Sequence, residues 1–183
     1  MFRIVIKAAL LLVALAAATG AAAQTRPKPD AKDAHPAPAV SGDKRDSVVN
    51  NVAPYSGKPY WLALAQCGGI YFKLNVLYTD IAVHARVVKP DPRVNDEFTK
   101  KLTEAIRTAT TFFDGADHFL MNDRGIERTD AVLVYNDQSR VAGDRVNTID
   151  QGIAAAKSCP VLYQACQSAY PKACDEPLTL PAS

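Results

Sequence analysis

The sequence predicts an all-α fold, a small antiparallel helical bundle of three long helices and a short C-terminal helix, crosslinked by two disulfides. Three stretches place apolar side chains at alternating steps of three and four residues, the spacing of one helix face. Four cysteines lie in a chain that begins like an exported protein, and an even number of cysteines in such a chain indicates disulfides. No stretch of the sequence shows sustained strand alternation.

Residues 1–23 are typical of a secretory signal peptide. Arg3 and Lys7 precede an apolar run over residues 8–18, and small residues up to Ala23 form the expected cleavage site. A retained membrane anchor is the alternative, but spanning a bilayer takes about 20 apolar residues and this run is shorter. We therefore expect cleavage after Ala23, a periplasmic or secreted mature protein, and no stable membrane insertion after cleavage.

The charge balance disfavours two classes of partner. The chain has 21 Lys and Arg against 19 Asp and Glu, and two of the basic residues leave with the signal peptide, so the mature chain is balanced. A neutral chain without a basic block lacks the electrostatic footprint of a protein that binds nucleic acid or an anionic membrane surface. Neither partner is expected.

Residues 24–54 read as a disordered tether and residues 55–183 as one folded domain. The first segment is rich in Pro, Ala, Asp and Lys, has no aromatic residue, and contains only four valines as large apolar groups. That is too little burial to offset the entropy of ordering the chain. The second segment is long enough to form a single hydrophobic core.

Residues typical of helix starts and ends delimit the two longest predicted helices. Pro59 suits the first turn of a helix that ends before Lys89, where two prolines follow. Asp91 is placed to cap a second helix with Pro92 at its first position, and this helix closes near Gly125. Short connections between long helices favour antiparallel neighbours.

The C-terminal third is less regular. Helical periodicity runs from about Glu127 to Lys157 and predicts the third long helix, but Gly143 and Gly152 weaken it, so this stretch can also be two helices with a kink. A short last helix starts at Pro160.

The cysteines allow three pairings, and one is preferred. Cys166 and Cys174 bracket a short loop, which leaves Cys67 to pair with Cys159; Cys67–Cys166 with Cys159–Cys174 is the runner-up. Six and seven residues separate the last three cysteines, wider than the close pairs of zinc sites. The redox C-x-x-C motif is also absent. The cysteines are therefore interpreted as structural, and no metal site is predicted.

Two Asp and His pairs have the i, i+4 spacing that makes side chains neighbours on a helix: Asp80 with His84, and Asp114 with His118. The rise of the helix separates the two histidines by about 30 Å along the predicted bundle, so they cannot share a metal. Both pairs are interpreted as surface residues. If the protein is an enzyme, Asp80 and His84 are its candidate residues.

Gly68 and Gly69 interrupt the first helix, although each glycine costs about 0.5–1 kcal/mol relative to alanine. The pair predicts the close approach of another helix, or a flat place that admits a ligand. Four tyrosines are candidates to line such a pocket, with their rings apolar and their hydroxyls polar; they are Tyr71, Tyr78, Tyr135 and Tyr163. Core packing is the alternative interpretation of these rings.

The function expected from the sequence is a non-enzymatic module of the cell envelope that binds another envelope protein or a small ligand. No catalytic or cofactor motif is present, so no cofactor is predicted. The alternatives are a small enzyme, or a bundle that holds a cofactor non-covalently in a cleft between helices.

Overall fold

The computed structural model describes residues 45–178 and Leu180, and within these it has five α-helices and no β-strand. The predicted all-α bundle is confirmed. The helices are α1 (Tyr60–Val83), α2 (Pro92–Arg124), α3 (Arg128–Gly143), α4 (Ile149–Ala156) and α5 (Cys159–Ala169), with a π-helical turn (His84–Val88) after α1.

Helices α1 and α2 form an antiparallel hairpin. Near its turn the rings of Tyr78 and Phe98 lie 5.8 Å apart, and near the opposite end those of Tyr60 and Phe119 are stacked at 5.3 Å. The α2 boundary is the predicted one, because the Asp91 carboxylate accepts hydrogen bonds from the first-turn amides. Helix α1 is the centre of the bundle and contacts every other α-helix.

The third predicted stretch is two helices rather than one. Helix α3 ends at Gly143, and α4 begins at Ile149 behind Thr148, whose hydroxyl accepts a hydrogen bond from the Gln151 amide. The two helices pack on different sides of α1, since Gly143 of α3 lies near Lys73 and Gly152 of α4 lies near Leu74. The break falls just after Gly143, whereas Gly152 lies inside α4.

The glycine pair of α1 allows close packing, as the sequence predicted. A methyl group at Gly69 would lie 2.6 Å from the carbonyl carbon of Ser139 on α3, and one at Gly68 would lie within 3 Å of the Phe113 ring on α2. Carbon atoms do not approach that closely without a shift of the chain. The two glycines thus let α2 and α3 come together over α1.

Both preferred disulfides are present, Cys67–Cys159 and Cys166–Cys174, and all four cysteines are buried. The first joins α1 to the start of α5, and the second holds the segment after α5 against that helix. The Tyr55 hydroxyl lies 3.2 Å from the Cys67 sulfur, and it must be the donor because a disulfide sulfur has no hydrogen. Two intramolecular disulfides fit an oxidising compartment.

The folded domain starts earlier than the predicted boundary at residue 55, so the assignment of residues 45–54 to the tether needs correction. Val49 is fully buried, and its amide donates to the Lys58 carbonyl. The Arg124 guanidinium donates two hydrogen bonds to Asp46, at 2.7 and 2.6 Å. These contacts with α2 and with the loop before α1 supply the ordering that the local composition lacks.

The predicted signal peptide and the rest of the predicted tether, residues 1–44, lie outside the described residues. Within residues 45–178, no helix combines the length and the apolar character needed to cross a membrane.

Candidate functional site

The candidate site is a groove of about 390 Å³ between α1 and α3, here called the α1–α3 groove. Its apolar surface comes from Phe72 and Val76 of α1 and from Phe113 of α2. Its charged residues are Lys73 of α1, Arg140 of α3 and Asp144 just beyond α3. The groove therefore offers an apolar wall with charged groups around it.

Glycines set the position of this groove. Gly69 and Gly143 bring the backbones of α1 and α3 together, because a methyl group at Gly143 would already lie 3.1 Å from the Gly69 carbonyl oxygen. Between α2 and α3, the rings of Phe113 and Tyr135 are stacked with their centroids 5.2 Å apart. The groove lies beside this close contact, where side chains of α1 are left uncovered.

The uncovered side chains of α1 are apolar. Phe72 is 49% exposed and Val76 is 37% exposed, one helical turn apart on the same face. Large apolar side chains in a concave site gain free energy when a ligand removes them from water. This face can bind an apolar group.

The charges of the groove are not equivalent. Arg140 forms ion pairs with Asp137 at 3.2 Å and with Asp144 at 3.3 Å. Lys73 is half-buried and has no ion-pair or hydrogen-bond partner within residues 45–178. An ammonium group without a partner next to an apolar surface is suited to an anionic group of a ligand.

The structure places three of the four candidate tyrosines in the core. Tyr71, Tyr78 and Tyr163 are at most 5% exposed, and burial raises the pKa of Tyr71 and of Tyr163 to about 12. Tyr71 and Tyr163 both pack on Phe112. Tyr135 is partly buried on Phe113, beside the groove. The four rings do not line one pocket.

The remaining candidates, Asp80 and His84, are both exposed. Asp80 lies on α1 and His84 begins the π-helical turn, and no hydrogen bond joins the two side chains in the described structure. No described residue orients the His84 imidazole as a base, and the structure does not bring this pair together with the tyrosines.

The second Asp and His pair, Asp114 and His118, lines a separate basin of about 440 Å³ beside the C-terminal segment. Burial raises the pKa of Asp114, against the effect of Arg128 and together with the charge of Asp117. Asp117 is buried and pairs with Arg128 at 3.1 Å. Among the described residues, no group of three side chains has an arrangement that could hold a metal ion.

Sequence reasoning missed Phe72, Lys73 and Val76. The sequence feature that could have indicated them is the composition of the first helix, which is apolar on almost every side and has no continuous polar face. Such a helix is expected to be buried all round, so an apolar residue that its neighbours leave uncovered marks a surface for a ligand or partner. Which residues stay uncovered depends on the packing of α3.

Comparison of the chain with protein-family models, with curated proteins and with solved structures finds no match.

Proposed function

We propose that this protein is an exported, non-enzymatic binding protein whose α1–α3 groove takes a small amphiphilic anion. Such a ligand has an apolar body and one acidic head group, a carboxylate or a sulfonate. The observation that carries the proposal is that Lys73, beside the exposed Phe72 and Val76, has no ion-pair or hydrogen-bond partner among the described residues. An apolar surface with one convergent charge is the usual chemistry of a small-molecule site.

The size of the groove supports a small ligand. Its volume of about 390 Å³ lies at the lower end of the range of about 300–1,000 Å³ for ligand pockets. The apolar body would lie on Phe72, Val76 and Phe113. The stacked Phe113 and Tyr135 rings would form a rigid wall, since aromatic rings lose little freedom on binding.

The charges support an anionic head group. Arg140 already has two carboxylate partners, so a ligand would have to compete with Asp137 and Asp144 for it. Lys73 has no such competitor within residues 45–178, and a charge-assisted hydrogen bond to its ammonium would be gained without breaking another one there. A cationic ligand would instead be repelled by Lys73.

Export and a binding role rest on separate observations. The N-terminal sequence pattern and the two disulfides support a periplasmic or secreted location. Asp80 and His84 are exposed and have no hydrogen-bond or ion-pair partner in the part of the chain that the structure describes, so they give no support to the enzymatic alternative.

Titration with anilinonaphthalene sulfonate, an amphiphilic anion that fluoresces in apolar sites, tests the proposal. Lys73→Gln should weaken binding by at least about tenfold, because a hydrogen bond to a charged group is lost. Phe72→Ala should weaken binding by about fivefold through lost apolar contact. Lys172→Gln and Leu133→Ala make equivalent changes at exposed positions outside the groove and should leave binding unchanged.

Equal affinities of the wild type and Lys73→Gln would remove the charge argument. An equal loss in Leu133→Ala would show that the dye reports general surface hydrophobicity, and the assignment of the groove would fail.

Native mass spectrometry of the protein purified from its own source would identify the natural ligand. A retained organic acid that is lost in Lys73→Gln supports the proposal, whereas a retained base or a metal contradicts it.

A further inference from the structure

The turn between α1 and α2, residues 83–93, carries the most exposed large apolar side chains among the described residues, and we call it the hairpin tip. Val87 is 66% exposed and Val88 is 68% exposed, while Val83 one turn earlier is 42% exposed. The tip lies beyond the α1–α3 groove and shares no residue with it. It is therefore a second surface, independent of the proposed ligand site.

The backbone of the tip explains the exposure. The π-helical turn holds His84–Val88, and the Lys89 amide donates to the His84 carbonyl at 3.1 Å. The Asp91 amide then donates to the Ala85 carbonyl at 2.8 Å. Ala85 is buried, whereas the two valines that follow Arg86 remain in solvent. A firmly hydrogen-bonded turn thus presents two neighbouring valines at the end of the bundle.

The charges of the tip are positive. It contains three cations, Arg86, Lys89 and Arg93, all exposed and without an ion-pair partner within residues 45–178. The only acidic residue of the tip, Asp91, is used as the helix cap of α2. The balanced charge expected for the chain after residue 23 therefore does not reveal this local cationic and apolar end.

We propose that the hairpin tip docks the protein on an anionic lipid surface. Val87 and Val88 enter the headgroup layer, and Arg86, Lys89 and Arg93 contact lipid phosphates. Exposed apolar side chains surrounded by cations match an interface that is apolar inside and negatively charged outside. The docking is peripheral and reversible, because two valines and three cations supply far less affinity than a spanning helix.

Each part of the tip makes a separate contribution to binding. Removing one cation near an anionic surface weakens binding by about fivefold, and this contribution fades as salt is added. Transfer of a valine side chain from water to lipid is worth about tenfold. Charge changes should therefore alter the preference for anionic lipid, and apolar changes should alter binding to lipid of any charge.

Vesicle flotation of the exported chain tests the proposal, with phosphatidylglycerol mixed into phosphatidylcholine or with phosphatidylcholine alone. We expect the wild type to bind the anionic vesicles at low ionic strength. Val87→Asp with Val88→Asp should lower the partition coefficient at least about tenfold. Arg86→Glu with Lys89→Glu should abolish the preference for anionic vesicles. All variants keep the same N-terminal segment, so its own affinity for lipid cancels in the comparison.

A matched control replaces two exposed apolar residues on other helices, Leu133→Asp with Val161→Asp, at positions 62% and 56% exposed. This variant should keep wild-type vesicle binding. The melting temperature of every tip variant should stay close to that of the wild type, which verifies the fold independently of the groove. Wild-type protein that stays unbound, tip variants that bind like the wild type, or an equal loss in the control would each overturn the proposal.

Discussion

Gly69 on α1 lies directly against the Ser139 carbonyl on α3, and this contact fixes the spacing of the two helices that form the groove. Gly69→Ala should lower the free energy of unfolding by about 1–3 kcal/mol, because the added methyl meets backbone atoms that cannot move independently. The gain in helix propensity, about 0.5–1 kcal/mol, offsets only part of this cost. Urea denaturation measures the difference.

Gly115→Ala is the matched control, since it also adds a methyl group to a buried helical glycine. The nearest atom is a Leu64 methyl carbon at 3.1 Å, the end of a flexible side chain. This variant should be less destabilised than Gly69→Ala. If the two variants unfold alike, the backbone contact with Ser139 has no special effect on stability.

The two disulfides should differ in their effect on stability, because they close loops of very different length. Cys67–Cys159 spans 92 residues, and Cys166–Cys174 spans 8. In the chain-entropy model these loops correspond to about 4–5 and about 2–3 kcal/mol. Replacing the first pair with alanines should lower the urea midpoint more than replacing the second. The opposite order would show that local packing near the disulfides outweighs the loop entropy.

Much of the fold could be predicted because its signals are local in the sequence. Asp91 caps α2 as expected, and the apolar stripe of α2 is buried around Phe112. The early start of the domain could not be predicted, since Asp46 and Ser47 are held by Arg124 and Asp123, which lie more than 70 residues away in the chain. From composition alone, residues 45–54 are expected to be too polar to fold.

The candidate site was less predictable than the fold. Periodicity identifies which residues of a helix are apolar, but it does not identify the face that the neighbouring helices leave uncovered. Phe72 and Lys73 are therefore visible as site residues only after α3 is in place. The chemistry of a tyrosine side chain does not reveal its burial, and Tyr71 and Tyr163 are enclosed in the core.

The ion pair of Asp46 and Arg124 should make the attachment of the N-terminal segment dependent on pH. The Arg124 guanidinium, by hydrogen bonding and charge, holds the pKa of Asp46 below its ordinary value of 3.8. A lowered folded-state pKa stabilises the fold above the unfolded pKa, and that stabilisation is lost as the pH falls through the lowered value. At about pH 6, Asp46→Asn should cost about 1.5–3 kcal/mol.

Thermal unfolding of wild type and Asp46→Asn over a pH series measures this effect. The difference in melting temperature should be constant near neutral pH and should disappear only below pH 3.8. A difference that persists in strong acid would show that the substitution acts through packing and not through charge.

Truncation to alanine should destabilise the fold at Phe112 in the core and leave it almost unchanged at Phe72 in the groove. Phe112 is fully buried between Tyr71, at 5.7 Å, and Tyr163, at 5.4 Å. Phe112→Ala should therefore cost about 3–5 kcal/mol, through lost apolar transfer and the cavity left behind. Phe72 is half-exposed, so Phe72→Ala should change stability by less than about 0.5 kcal/mol.

Urea denaturation of the two alanine variants, together with dye titration, separates the roles of the two rings. Phe72→Ala should keep its stability and bind the dye more weakly. A strongly destabilised Phe72→Ala would mean that this ring is a packing residue like Phe112, because a ring left uncovered for a ligand cannot contribute much to the folded state in water.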